Sequence, residues 1–384
     1  MESIKDAKFK TAIVSTHDCV NPSWGGGGLR TRKISLELVQ RGINVYLVAP
    51  LEEKVLADKI TNLHISPPSK KYSSLLSTLR FNLQMFIKLS GLMKRTDLVV
   101  IHNCIAALSI PLLKKFFPVR FVLDITDIHT KYIYMENKVL FNRIAAPFLE
   151  KVEYSIIKTA DLVIAVSSAM KELLISKGVK EEIIKVIPDG VELKKIPSCK
   201  EEGAEMRVLH LGAVDIQHNV EVVLEAVSSV LRILPEVEFL FVGGGRGLEY
   251  VRKKSIELGV ESNCIFTGKL PQEKAREYLQ SSLIGIIPRR SCPANDLVTT
   301  VKIFEYWASG TAVISSPLKA IQEIAHDRIN ILFFDGSSED LAEKIIFLLQ
   351  NRDFRRTLIG NGERAAANFD LDKSAKNIVD FALD

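Results

Sequence analysis

Short runs of Val, Ile, Leu and Phe recur along the chain, separated by amphipathic stretches of helical period. The first half opens with an expected strand at Thr11–Ser15, a loop to Gly28, a helix through Arg41 and a strand at Val45–Ala49. Further strands are expected at Leu98–His102, Phe121–Ile125, Leu162–Val166 and Ile184–Ile187. The second half repeats the scheme. It has strands at Val208–Leu211, Glu238–Val242, Cys264–Thr267, Ile284–Pro288 and Ala312–Ser315, and a helix over Val220–Ile233. Alternation of this kind predicts parallel sheets with helices on both faces, and its recurrence predicts two Rossmann-like, doubly wound α/β domains. The expected domains are residues 1–195 and 206–371, with a helix over 372–384. Val191–Met206, with Pro197, Ser198 and a charged run from Lys200 to Glu205, reads as the linker. Ligand is expected at the carboxyl ends of the strands, in a cleft between the domains.

The stretch Lys302-Ile-Phe-Glu-Tyr-Trp-Ala-Ser-Gly-Thr-Ala-Val-Ile-Ser315 reads as helix, glycine break, buried strand. Phe304, Trp307 and Ala308 recur at helical spacing, and Gly310 suits a helix end. Glu305 lies in the first turns, behind the small and hydroxyl residues of Asn295 to Thr300. A carboxylate there is able to accept both hydroxyls of a ribose, while the free N–H groups of the helix start hold a phosphate. Taken alone, Lys302 and Glu305 at a spacing of three also fit a surface ion pair.

Composition excludes more than it assigns. The 384 residues suffice for two domains, with 47% hydrophobic and 25% charged residues, as in a globular protein. A net charge of +5 is too mild to argue for nucleic acid. Cys19, Cys104, Cys199, Cys264 and Cys292 are odd in number and widely spaced, which suggests neither a zinc site nor a disulfide framework and favours a reducing cytosol. Met1 to Lys10 is polar, so no secretory leader is expected, nor is a membrane-spanning helix.

Several segments together resemble the retaining glycosyltransferases of the GT-B fold, family 4-like. Trp24-Gly-Gly-Gly-Gly28 followed by Leu38-Val-Gln-Arg-Gly-Ile-Asn-Val45 is similar to that family's opening. Ile187-Pro-Asp-Gly-Val191 resembles the end of its first domain, and His210-Leu-Gly-Ala213 and Phe241-Val-Gly-Gly-Gly245 the first turns of its second. Lys302 to Ile314 resembles its nucleotide-sugar segment, with Ala312 in place of the usual proline. The resemblance implies an acceptor-binding first domain, a donor-binding second domain and a last helix that crosses back to the first. It implies transfer of a sugar from a nucleoside diphosphate, UDP or GDP, to a glycan or lipid-linked acceptor with retention, and needs no metal.

Carried over residue by residue, the resemblance places Gly26, Gly27, Gly28, Gly212, Gly244, Asn295, Thr299, Thr300 and Glu305 around the donor. Asp127 and His129 are the first-domain candidates to face the sugar, where a carboxylate would stabilise developing positive charge; helix capping by Thr126 or Asp127 is the alternative. His102, with Asn103, is a second candidate. Three departures stand out. Leu297 occupies the place of a frequent glutamate, for which Asn295 or Asp296 is the expected replacement at the sugar, and Ala213 that of an arginine. His218 or Asn219 falls near a customary lysine. One of Arg289, Arg290 and Lys302 is expected to replace the lost cations.

From Lys59 to Thr96 there is no acidic residue, and Lys70, Lys71, Arg80 and Lys88 lie in this stretch. Tyr72, Leu76, Leu79, Leu83 and Phe86 recur at spacings of three and four. Leu112 to Arg120 adds a second basic, apolar patch. Such a helix either docks on an anionic membrane or buries its stripe on the sheet. A cytoplasmic protein, peripheral on the inner face of the membrane, is the corresponding expectation. A sugar-nucleotide epimerase and a non-catalytic nucleotide-sugar-binding protein are the rival readings.

Overall fold

The computed structural model describes residues 9–16, 18, 20, 26–51, 57–66, 75–135, 140–196, 206–215 and 218–384. They fall into two compact units, one within Met1–Asp189 together with Leu371–Asp384, the other within Gly190–Asp370. Trp24, Gly25, Lys70 and Lys71 lie outside the described residues, as does most of the expected linker.

The first unit runs β1 Thr11–Thr16, α1 Gly26–Gln40, β2 Asn44–Ala49, β3 Ile60–His64, α2 Leu75–Leu92 and β4 Leu98–His102. It continues α3 Ile110–Lys114, β5 Arg120–Ile125, α4 His129–Met135, α5 Leu140–Ile157, β6 Leu162–Ala165, α6 Ser168–Ser176 and β7 Ile184–Val186. Its strands form one sheet in the order β3-β2-β1-β4-β5-β6-β7, every pair parallel. β4 (Leu-Val-Val-Ile-His) is buried along its whole length, because helices cover both faces of a parallel sheet and leave no polar side.

The second unit runs β8 Arg207–Leu211, α7 Val220–Leu231, β9 Glu238–Val242, α8 Leu248–Glu257, β10 Cys264–Gly268, α9 Gln272–Gln280 and β11 Ile284–Ile287. It continues α10 Val301–Ala308, β12 Ala312–Ser315, α11 Lys319–Gln322, β13 Leu332–Phe333, α12 Ser338–Gln350 and α13 Arg352–Ala366. Its sheet has the order β10-β9-β8-β11-β12-β13, again all parallel. In each sheet the order reverses beside the first strand, β1 or β8, which is the switch point where doubly wound folds open a ligand crevice. β3 and β13 were not expected from the sequence. One shows a mixed burial pattern, the other is two residues long, and both sit at a sheet edge.

The last helix, α14 Leu371–Leu383, belongs to the first unit. Its Ile378, Val379 and Ala382 share a core with Ile34 and Leu38 of α1. Lys33–Asp372 and Arg41–Asp380, each at 2.5 Å, flank that contact.

Of the two facings open to α2, its periodic leucines take the outer one. Phe81, Met85 and Leu89 are the buried positions, whereas Leu79, Leu83 and Ile87 are 54%, 59% and 61% exposed. The periodic leucines therefore mark the outer face, with exposed Arg80 and Lys88 beside them. No described helix is long and apolar enough to cross a membrane.

Candidate active site

In the second unit the site is built on the start of α10. Phe304 and Trp307 are buried; Phe304 stacks on Phe369 with ring centroids 4.5 Å apart, and Trp307 Nε1 donates to the Asn330 carbonyl at 2.8 Å. The Tyr306 hydroxyl accepts from Leu211 N at 2.9 Å and donates to the Leu209 carbonyl at 3.2 Å, tying α10 to the end of β8. These anchors leave Lys302 and Glu305, both partly buried, on the remaining face.

Gly212 follows β8 with φ +116°, a conformation that disfavours any side chain. A Cβ there would lie 2.3 Å from Lys302 Cε and 2.6 Å from its Nζ, so the missing side chain is what lets the lysine lie across the turn. The Gly243–Gly245 turn works differently. A Cβ on Gly243 would meet the Gly212 carbonyl oxygen at 2.0 Å and one on Gly245 that of Val214 at 2.3 Å, so these two glycines serve backbone packing. A Cβ on Gly244 would meet only Lys269, at an ordinary 3.5 Å.

The charges around Lys302 are unbalanced. Burial, then the Arg289 guanidinium, push its ammonium down to about 7, against weaker support from Glu305 and Asp215. Burial raises Glu305 to about 7, and the charges of Lys302 and Arg276 only partly oppose it. The Glu305 carboxylate accepts no hydrogen bond from the described residues. Arg289 is buried and its Nη2 donates to Asn295 Oδ1 at 2.6 Å, while Asn295 Nδ2 donates to the Arg290 carbonyl at 2.8 Å. Asn295, expected to touch the sugar, is fully buried and spends both ends of its amide holding the two arginines. Arg290 is exposed, bonds Asn219 Oδ1 at 2.8 Å and lines with Arg289 a recess of about 760 Å³. Thr299 and Thr300 are buried just before α10.

In the first unit the glycine run is mostly helix. Gly26, Gly27 and Gly28 form the first turn of α1, a helix start whose N–H groups have no intrahelical acceptor. A Cβ on Gly27 would lie 2.1 Å from Asp18 Oδ2 and 2.6 Å from His102 Nε2. Behind it lies a buried charge network. Arg30 is fully buried and bidentate to Asp124 at 2.9 Å and 2.9 Å. It also donates to Asp189 at 3.0 Å and to the carbonyls of Ile187 and Pro188 at 3.1 Å each. Burial alone would raise Asp124, but Arg30 and His102 outweigh it and hold the carboxyl well below the usual range. His102 sits between Asp124 at 3.1 Å and Asp18 at 3.3 Å. Burial disfavours its charge, yet hydrogen bonds to these carboxylates raise it to about 10. Its neighbour Asn103 accepts from the backbone N–H of Thr126 at 2.8 Å and of Asp127 at 3.1 Å, shaping the loop after β5.

Asp127 is half-buried on that loop and accepts from the Tyr132 hydroxyl at 2.8 Å. α4 is capped neither by Thr126 nor by Asp127. Glu153 of α5 accepts from His129 N at 3.0 Å and from Thr130 N at 3.2 Å. The His129 ring lies 3.9 Å from the same carboxylate. Sequence reasoning missed Glu153 and the Arg30 network. The available signal was two strand-end aspartates, Asp124 and Asp189, with one arginine between the buried positions of α1.

Comparison with known proteins places these features. Residues 24–195 match the family described as Glycosyltransferase Family 4, and residues 205–351 that described as Glycosyl transferases group 1. An uncharacterized glycosyltransferase of Methanocaldococcus jannaschii is 27% identical over 264 residues, 64% of this chain and 66% of that protein, just under two thirds of its length. Alpha-monoglucosyldiacylglycerol synthase of Streptococcus pneumoniae is 26% identical over 96% of this chain and 84% of its own. In fold the chain is similar to sucrose-phosphate synthase from Thermosynechococcus elongatus, with a TM-score of 0.77, 18% identity, and 95% and 96% of the two chains covered. With both matches along the chain and the two parallel sheets in hand, the chain belongs to the group 1, family 4-like glycosyltransferases of the GT-B fold.

Proposed function

We propose that this protein transfers a sugar from a nucleoside diphosphate sugar to a glycan or lipid-linked acceptor, with retention at the anomeric carbon and without a metal. The observation that carries the reading is the unpartnered Glu305 carboxylate one turn from the Lys302 ammonium, at the start of a helix that faces Gly212. Glu305 would accept the ribose hydroxyls. Lys302, Arg289 and the N–H groups at Thr299–Val301 would meet the diphosphate. As the glycosidic bond to phosphate breaks, negative charge grows on the leaving diphosphate, and fixed donors there lower the barrier by about 3 kcal/mol each. Such donors do the work that a metal does elsewhere. Asp127 is the first-unit group suited to the positive charge that develops on the sugar.

The outer face of α2 supports docking on an anionic membrane, since an apolar ridge flanked by basic side chains suits a lipid surface. The streptococcal relative, whose name denotes a glucosyldiacylglycerol product, agrees with a lipid-linked acceptor.

A thermal-shift panel of UDP- and GDP-sugars tests the donor site. A nucleotide sugar at about 100 times its dissociation constant adds roughly 2.7 kcal/mol. The expected result is a shift with one base that Glu305→Ala abolishes. No shift with any of them in folded protein would overturn the reading.

A further inference from the structure

Buried side-chain atoms of the second unit with no hydrogen-bond partner among the described residues include His210 Nδ1, His218 Nδ1, Arg289 Nε and Thr299 Oγ1. Three of these residues surround the Lys302 ammonium. His210 comes from β8, His218 from the segment leading into α7, and Arg289 from the loop after β11. The two imidazoles meet edge to face, with centroids 6.5 Å apart. Buried polar atoms that lack partners cost free energy, and Lys302 and Arg289 repel each other, so the cluster is complementary to an anion.

Both imidazoles of the cluster are held neutral. Burial, then Lys302, Arg289 and His210, push the His218 imidazole well below its ordinary value, and no carboxylate faces it among these groups. Burial and Lys302 hold His210 down to about 3. Lys302 alone has carboxylates in reach, Glu305 and Asp215. An incoming diphosphate would change this balance most for His218, whose charge is suppressed by burial and like charges and whose Nδ1 is unspent.

We propose that His218 is the titrating member of the leaving-group clamp: it is neutral in the free protein and gains a proton from solvent as the donor's diphosphate binds. This rests on the donor reading above. Where relatives with a lysine at this place would carry a permanent charge, this chain would form its charge only in the complex.

Isothermal titration calorimetry of the intact chain at about pH 6 tests the coupling, with UDP-glucose and GDP-mannose as probes. A sugar-capped diphosphate has no phosphate group titrating near pH 6, unlike a free terminal phosphate. Lys302 is already mostly charged there, and Glu305, raised to about 7, exchanges its proton alike with and without the imidazole, so the difference in uptake between wild type and His218→Gln reports the imidazole. Comparing buffers of different ionisation enthalpy gives the number of protons taken up. The expected difference is roughly three quarters of a proton per nucleotide bound, if the complex restores a pKa of about 6.5. Affinity should then weaken about fourfold between pH 6 and pH 7.5 from this group. His218→Gln should bind more weakly and take up that much less, and His218→Arg should bind with the same lower uptake. Binding by both proteins with no difference in uptake between wild type and His218→Gln would overturn the proposal and leave the donor site standing. Absence of binding by both probes, with wild type folded, would overturn the donor reading as well.

Discussion

Arg30→Met is the most informative single change in the first unit. The side chain is fully buried and makes two bonds to Asp124, one to Asp189 and two to the carbonyls of Ile187 and Pro188. Methionine fills much of the volume but supplies none of these donors. Two buried carboxylates then face His102 as the remaining nearby cation. Removing one partner of a buried ion pair costs about 3–5 kcal/mol. For a unit of about 200 residues, each kcal/mol shifts Tm by roughly 2–4 °C, so calorimetry should show a loss of roughly 6–20 °C. Arg30→Lys keeps the charge but not the fork, and should lose about half as much. The deficit should shrink in acid. Without the arginine, burial raises the Asp124 carboxyl, and a protonated carboxyl costs less to bury, whereas the wild type loses its own depressed-carboxylate stabilisation as pH falls. A Tm for Arg30→Met within about 2 °C of wild type would refute the reasoning, because it would mean that the carboxylates do not depend on this cation.

Other outcomes follow from the same structure. His102 is raised to about 10, so the stability it contributes is complete below its ordinary pKa of about 6.5 and is lost as pH rises through about 10. Tm of wild type should fall over that window relative to His102→Gln, and parallel curves would sink the assignment of a buried imidazolium. Leu83→Glu with Ile87→Glu changes two exposed positions and should leave Tm nearly unchanged. The double variant should nonetheless fail to float with anionic vesicles at low salt. Wild type that does not float either would remove the membrane reading.

The sequence by itself determined the repeating strand–helix order and most of the buried strands, because a parallel sheet covered on both faces needs near-continuous apolar runs such as Leu98–Ile101 and Ile284–Ile287. It also marked Glu305, Lys302 and Gly212, since a carboxylate, a cation and a glycine at a helix start and a strand end carry their chemistry in their types and order. The edge strands were not legible: β13 takes its pairing from β12 rather than from its own two residues. Facing was not legible either. α2 has apolar residues on two sides, and only packing decides that Phe81, Met85 and Leu89 go inward while Leu79, Leu83 and Ile87 stay out. Tertiary structure likewise decided the fate of each polar side chain. Asn295 is consumed by Arg289 and Arg290, Glu153 reaches from α5 to cap α4, and Arg30 gathers carboxylates 94 and 159 residues away. Hydrogen bonds and charges act over a few ångströms in space, and a one-dimensional pattern does not record which distant groups are brought within that range.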